Sequence, residues 1–484
     1  ALREKRAAPA RADTARLCSV HTRRATMLTR REMMGAAALA AGAVLTDPAG
    51  AIPMPETADA RSAGGPIAAE VGRTALNVPQ LPPGEPGRDY TPVHTPNGMT
   101  LPYRVADGVK VFHLVAEPVE HEFMPGLVAH CWGYNGRTVG PTVEAVEGDR
   151  VRIYVTNRLP EPTTVHWHGV RVPNGMDGVG GLTQPVIEVG QTFRYEFTLP
   201  AAGTFMYHPH HDDMTQQAMG MMGMFVVHPR DAGNRRVDRD YCIMLSEWRI
   251  DPGTSRPVTT EMLDFNVLTM NSKVYPATEP IVAAMGERVR IRFGNLGAMD
   301  HHPIHLHGFQ MVLTETDGGV VPVAAQYPMN TVLVPVGSTR AVEFVADNPG
   351  DWAMHCHMTH HTMNQMGHDV QNMVGVDTAG LSADVRRVVP GFMAMGQAGM
   401  GDMAGMRMAV PANSVPMAGG PGPFGTVDMG GMFTIVKVRD HVERFGDVPA
   451  YVHPPGTLAA EATAAELARD GIGVPPAAGG AMKM

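Results

Sequence analysis

The chain has 484 residues, 44% of them hydrophobic and 18% charged, so most of it should fold, with room for two or three domains. Its net charge of −9 argues against nucleic acid or an anionic membrane as a partner. Glycine and proline are abundant (54 and 41), as in proteins of many short strands joined by turns, and methionine, at 36 copies against 14 Phe and 4 Trp, is out of proportion.

Residues 1–51 read as targeting sequence. "MLTRREMMGAAALAAGAVL" carries a twin arginine (Arg30, Arg31), an apolar run too short to span a bilayer, and then Ala49-Gly50-Ala51 as a small-residue cleavage site. Twin-arginine export to the periplasm or exterior is therefore expected, with no membrane span. Met27 is the expected start, because residues 1–26 hold no methionine and carry seven Arg or Lys against two acids. Removing the segment makes the chain more acidic and discards Cys18. Of the remaining cysteines, Cys131 and Cys242 read as two separately buried thiols, or as a disulfide that an oxidising compartment would permit.

After a linker (52–99) the chain repeats itself. "VEGDRVRIYVTN" at 146–157 matches "AMGERVRIRFGN" at 284–295, and "VHWHGVRV" at 165–172 matches "IHLHGFQM" at 304–311. "EVGQTFRYEFTLPAAGTFMYHPHH" at 188–211 matches "PVGSTRAVEFVADNPGDWAMHCHM" at 335–358 without a gap. Each copy alternates apolar and polar residues over short runs between Gly, Pro and Asn turns, the pattern of a β-sandwich. An all-β protein is expected, with domains at 100–232 and 238–378. A Gly- and Met-rich segment (391–432) follows, then a C-terminal strand and tail (433–484).

Four His-x-His pairs fall at matching places in the repeat: His166/His168, His208/His210, His305/His307 and His355/His357. On a strand such a pair projects both imidazoles from one face. Eight imidazoles suit three copper ions with room for oxygen. Cys356 lies between His355 and His357 and points the other way. With His302, His361 and a weak axial thioether from Met366 it completes the donor set of a blue-copper electron-transfer site. Structural zinc would prefer a closed four-ligand set with closely spaced cysteines.

These motifs, "HWHG", "HPH", "HPIHLHG" and "HCHMTHHTMNQM" in that order, resemble those of the multicopper oxidases over residues 95–378. The resemblance implies two tandem cupredoxin-like Greek-key sandwiches and four coppers. One is type 1 (His302, Cys356, His361, Met366), one is type 2 (His166, His305), and two are a type 3 pair (His168, His208, His210, His307, His355, His357). It implies electron transfer through Cys356, and a proton-relaying acid at Asp177, whose alternative is a turn-forming Asp-Gly pair. Gln365 departs from the family's usual glycine beside the axial ligand. His211, His301, His360 and His368 stay outside the ligand set, as solvated loop residues. In the first copy Pro209 replaces the cysteine, Thr163 aligns with His302, and Met214 stands opposite His361, leaving Met219 as core filler. The pattern is that of a two-domain laccase with its type 1 copper in domain two. Such chains can close into a homotrimer whose trinuclear clusters lie between copies. Oxygen and a reducing substrate (a phenol, Cu(I) or another metal ion) are the expected partners. Residues 393–417 contain no aromatic residue, and their thioethers suit Cu(I); a low-complexity linker is the alternative. The competing functions are a periplasmic copper-storage protein, which would not need paired imidazoles, and a copper nitrite reductase, which keeps blue copper in domain one.

Overall fold

In the computed structural model of the chain, residues 78–261, 263–364, 387, 412–416, 419–442 and 448–473 are described. Strands dominate them. Arg150–Asn157 shows the reason: its side chains alternate half-buried and buried, so period-two patterning sends Val151, Ile153 and Val155 into a core.

The first sandwich has one sheet in the order Arg104–Ala106, Val109–Met124, Arg150–Asn157, Thr192–Thr198, with Leu127–Tyr134 also paired to Val109–Met124. Facing it is a three-stranded sheet of Gly140–Val146, Gly223–His228 and Gly203–Tyr207. Trp167, Tyr195, Phe197, Phe225 and Met219 lie in the core between them, so Met219 is core filler, as its place in the repeat suggests.

The second sandwich repeats the plan. Arg239–Trp248, Arg288–Asn295, Ser338–Val345 and Met311–Thr316 run side by side in its larger sheet. The opposing sheet has the order Ile281–Ala284, Phe433–Arg439, Gly350–Cys356, His302–Leu306, Thr331–Val334. Here the domain boundary moves. Phe433–Arg439, assigned from sequence to the C-terminal region, sits inside this sheet, parallel to Ile281–Ala284 and antiparallel to Gly350–Cys356. An interior strand buries its apolar residues and pairs both backbone edges, so the second domain requires residues beyond 378.

The long hairpin Val109–Met124/Leu127–Tyr134 carries its tip out of the first sandwich and onto the second. Phe123, Met124 and Leu127 join Met206, Met222, Met224, Met244 and Trp248 in a third apolar cluster. Part of the methionine excess thus fills an irregular seam, a use its flexible thioether suits. Cys131 and Cys242 lie in the same cluster as free, buried thiols. Fully buried Arg292 crosses the seam, reaching Asp240 at 2.8 Å, Glu315 at 2.7 Å and Thr204 Oγ1 at 2.6 Å.

Candidate metal centres

Strand register builds the sites. His305 stands opposite His355 and Ile304 opposite Cys356 on antiparallel neighbours. Because successive side chains change faces, His305, His307, His355 and His357 share one face. His302, Ile304, Leu306, Met354 and Cys356 share the buried one. His361 reaches Cys356 from the short 3-10 turn Thr359–Thr362 that follows the strand.

The buried centre is compact. His302 Nδ1 and His361 Nδ1 are 3.2 Å apart, and Cys356 Sγ lies 3.8 and 3.4 Å from them. His302 is 0% and His361 2% exposed. Burial pushes the Cys356 thiol up to about 12 and lowers the His302 imidazole. The neutral imidazole is ready to ligate, whereas the thiol must surrender its proton on metal binding. Two nitrogens and a sulfur converging on one point fit a single soft-to-borderline metal such as copper. Met366 and Gln365 lie outside the described residues.

Sequence reasoning missed what faces the outer edges of these imidazoles. Glu247 Oε2 is 3.4 Å from His302 Nε2, and Asp300 Oδ2 is 3.4 Å from His361 Nε2, both longer than an ordinary hydrogen bond. The other Glu247 oxygen accepts from the backbone N–H of Met299 and, at 2.9 Å, of Asp300, so the loop is tied to the carboxylate. Glu247 offered one signal, an acid within the apolar run "IMLSEW", where a buried charge needs a partner.

The eight paired histidines form two clusters, in which His307 and His357 are exposed, His208 is buried and the others are half-buried. In the first copy a bridge sets His166 opposite His208, and ring centroids among His166, His168, His208 and His210 lie 5.4–6.2 Å apart. In the second, centroids among His305, His307, His355 and His357 lie 4.7–5.7 Å apart. Second contacts orient the rings. His166 Nδ1 binds Asp177 O at 2.7 Å, His208 Nδ1 binds Pro209 O at 2.8 Å, and His305 Nδ1 binds Asn330 O at 2.7 Å. Each leaves Nε2 for a metal. His168 is reversed: its Nε2 binds Gly337 O at 2.9 Å, and its Nδ1 faces His208 Nε2 at 3.2 Å. His307 Nε2 and His355 Nε2 face each other at the same 3.2 Å. Burial lowers His168, His307 and His355, and brings His208 down to about 3, so these imidazoles stay neutral near pH 7.

Asp177 packs beside His166, with Oδ1 3.6 Å from Nδ1. Gly178 permits this: it has φ +91°, and a Cβ there would fall 1.9 Å from Val165 O. Among the described residues, two donor groups have all ligand atoms within 4.8 Å of one another: His166–His168–His208 and His302–Cys356–His361. Neither mixes paired histidines from the two copies. His301, outside the ligand set, accepts from Val336 N at Nδ1 (3.1 Å), and His360 is exposed. His368 lies outside the described residues.

The corner of the first sandwich that corresponds to the buried centre is closed by other means. Thr163 Oγ1 donates to Gln216 Oε1 at 2.7 Å, and Gln216, buried in the helix Asp213–Ala218, donates to Pro162 O at 2.9 Å. Met214 points outward and is exposed.

Residues 116–232 and 251–375 each match a family model described as multicopper oxidase. Copper resistance protein A of Escherichia coli is 28% identical over 235 residues, which are 39% of this chain and 38% of that protein. Multicopper oxidase MmcO of Mycobacterium tuberculosis is 30% identical over 232 residues, 40% of this chain and 44% of that one. The chain thus spans less than half the length of these curated relatives. Among solved structures, the blue copper oxidase of Nitrosomonas europaea is similar over 68% of this chain and 85% of its own, with a TM-score of 0.50 and 27% identity. The multicopper oxidase mgLAC is similar over 68% and 86%, with a TM-score of 0.51 and 28% identity. Two matched sandwich domains, cupredoxin-like neighbours and clustered His and Cys donors agree: the chain belongs to the multicopper oxidase family, copper-dependent oxidoreductases.

Proposed function

We propose that the chain is a laccase-like multicopper oxidase coupling one-electron oxidation of a reducing substrate to four-electron reduction of oxygen to water. The observation that carries this reading is Cys356. Its sulfur converges with His302 and His361 on the buried face, while its neighbours His355 and His357 point to the opposite face. Copper bound at these donors would supply one-electron redox chemistry at the buried centre and oxygen reduction at the paired histidines. His302, Cys356, His361 and Met366 are then the type 1 donors. His166 and His305 serve type 2, and the remaining six paired histidines serve type 3. The residues between the centres form a short covalent path, from Cys356 along the backbone into His355 and His357. Asp177, held against His166, is placed to hand a proton to oxygen-derived products through its Oδ1.

Each four-histidine cluster is one half of such a trinuclear site, and His307 and His357 are exposed. An exposed leucine lies near each half. Leu182, 81% exposed, lies in the loop whose Gly180 N–H binds His210 O; Leu333, 52% exposed, pairs with Pro303 beside His302. A homotrimer that packs the first sandwich of each copy on the second of the next joins the halves and covers this surface. The filled corner at Thr163 and Gln216 supports a blue centre in the second sandwich, against the nitrite reductase alternative. Paired imidazoles in register support an enzyme over a storage protein.

The donor class we favour is a metal cation, Cu(I) foremost. Glu247 and Asp300 place carboxylate oxygens 3.4 Å from the Nε2 atoms of both imidazoles, a field that favours a cationic donor over a neutral one. Most of the methionine-rich segment lies outside the described residues, but Asn413 ties it to the first-domain hairpin and its last residue, Met432, is anchored beside the same centre. Asn413 binds the backbone of Val128 at both N (2.7 Å) and O (2.8 Å), and Met432 N binds His361 O at 2.8 Å. Export through the twin-arginine signal would put the enzyme where copper enters the cell.

Oxygen uptake by the copper-loaded chain, with Cu(I), Mn(II) and a small phenol as donors, tests the reading. Uptake with water as product and Cu(I) as the best donor is expected, and Cys356→Ser should abolish both uptake and the blue absorption. A serine variant that stays blue overturns the site assignment.

A further inference from the structure

Asn364, 1% exposed, lies three residues past His361, where three separate segments meet. Its Oδ1 accepts from Gly431 N at 2.6 Å. Its Nδ2 donates to Tyr275 O at 3.4 Å and faces Met124 Sδ, at the tip of the long first-domain hairpin, at 3.9 Å. Gly431 N–H finds its acceptor in Oδ1, and Nδ2 faces the Tyr275 carbonyl at the long end of the hydrogen-bond range, an arrangement a primary amide matches and a carboxylate or an alkyl group would match only in part.

The segment that Asn364 holds is stitched to the metal donors. Met432 O accepts from Cys356 N at 3.0 Å, Met432 N donates to His361 O at 2.8 Å, and Gly430 N donates to Thr362 O at 2.6 Å. Tyr275 N closes the circuit by donating to Gly431 O at 3.0 Å. Packing is tight enough to exclude any side chain: Gly431 has φ +53°, and a Cβ there would stand 2.4 Å from His361 O. A Cβ on Gly430 would stand 2.7 Å from Asn364 Nδ2.

We propose that Asn364 is the positioning residue of the blue-copper donor loop. By clamping residues 430–432 and the hairpin tip against residues 356–364, it fixes His361 Nδ1 relative to Cys356 Sγ, and it makes the first sandwich part of the second sandwich's metal centre. The inference rests on the proposed reading of His302, Cys356 and His361 as type 1 donors. Asn364 touches no reacting atom and acts through His361 and Cys356. A loop held on three sides keeps its donors in one arrangement when the metal changes charge, whereas a loosened loop lets them move.

The test uses the full chain, apo and copper-loaded, as wild type, Asn364→Asp, Asn364→Ala and Gly431→Ala. Asn364→Asp preserves volume and the acceptor for Gly431 N–H but loses the donor to Tyr275 O. Asn364→Ala loses both. Gly431→Ala pushes on His361 from outside the site. The readouts are the position of the blue absorption, the type 1 midpoint potential, and backbone amide exchange at 356–364 and 430–433 in the apo protein. Both alanine variants should shift the absorption and potential and speed exchange roughly tenfold or more, with Asn364→Asp intermediate and copper content at the paired histidines unchanged. Wild-type values for all three readouts in the variants overturn the inference. Should an alanine variant fail to fold, Asn364→Asp alone decides, since an unmoved spectrum, potential and exchange there also defeat the clamp. A wild-type protein without blue absorption defeats the type 1 reading instead, so the two failures are distinguishable.

Discussion

At the scale of single residues, Glu247 and Asp300 place buried carboxylate oxygens beside His302 and His361, where they act on the centre through its electrostatic field. A carboxylate about 4 Å from a cation at a partly buried site interacts by up to about 4 kcal/mol at an effective dielectric near 20. Neutralising either by Glu247→Gln or Asp300→Asn, each isosteric, should lower the ratio of Cu(I) to phenol kcat/KM by about tenfold or more. Steady-state kinetics with both donors on copper-loaded protein check this. An unchanged ratio in both variants removes the electrostatic basis for a metal-ion donor. Neither residue was found from sequence, because Glu247 stands on a strand of the opposite sheet and only tertiary packing brings it to His302. Asp300 is two residues from His302 in sequence, yet it faces His361.

Among the elements, the helix Asp213–Ala218 shows how one copy of a repeat loses a site without losing its fold. The second copy uses its loop after the strand to bring His361 to Cys356. The first uses the equivalent loop to bring Gln216 to Thr163, and a hydrogen-bonded amide fills the volume that donors would line. Gln216→Ala should therefore leave a cavity and unsatisfied Thr163 and Pro162 groups, costing about 1–3 kcal/mol. Urea unfolding of the apo protein measures that loss, and the blue absorption of the loaded variant should not move. Wild-type stability would mean that the corner is solvated and the plug is incidental. The loop was legible as an empty site from Pro209 and Thr163. What occupies it was not legible, since the aligned segment of the second copy forms a 3-10 turn instead of this short helix, and only packing brings Gln216 to Thr163.

For the whole molecule, each chain carries two clusters of four imidazoles, each oriented by its own backbone contacts. If copies complete each other, two defective chains should repair one another. His168→Ala and His307→Ala should each be inactive alone. Mixed after dissociation and reassembly, they should regain part of the oxygen uptake, because some interfaces then join an intact first cluster to an intact second one. Light scattering should give three chains per active particle. A single-chain mass in an active, copper-loaded sample, or no recovery in reassembled mixtures, refutes the trimer.

By itself the sequence determined whatever obeys a local period. Strand alternation makes each His-x-His pair share a face, and it turns Cys356 away from His355 and His357. The repeat sets the pairs at matching places in both copies, and the same alternation makes the chain all-β. Tertiary structure decided what depends on distant segments meeting. Phe433–Arg439 joins the interior of the second sandwich across a long insertion, because an interior strand must be supplied from somewhere and nothing local announces its partner. Several of the surplus methionines lie in a buried seam, which composition cannot reveal. Glu247, Asp300 and Asn364 reach the metal donors only through packing, since hydrogen bonds and charge contacts of this kind are set by three-dimensional proximity and leave no periodic trace in the chain.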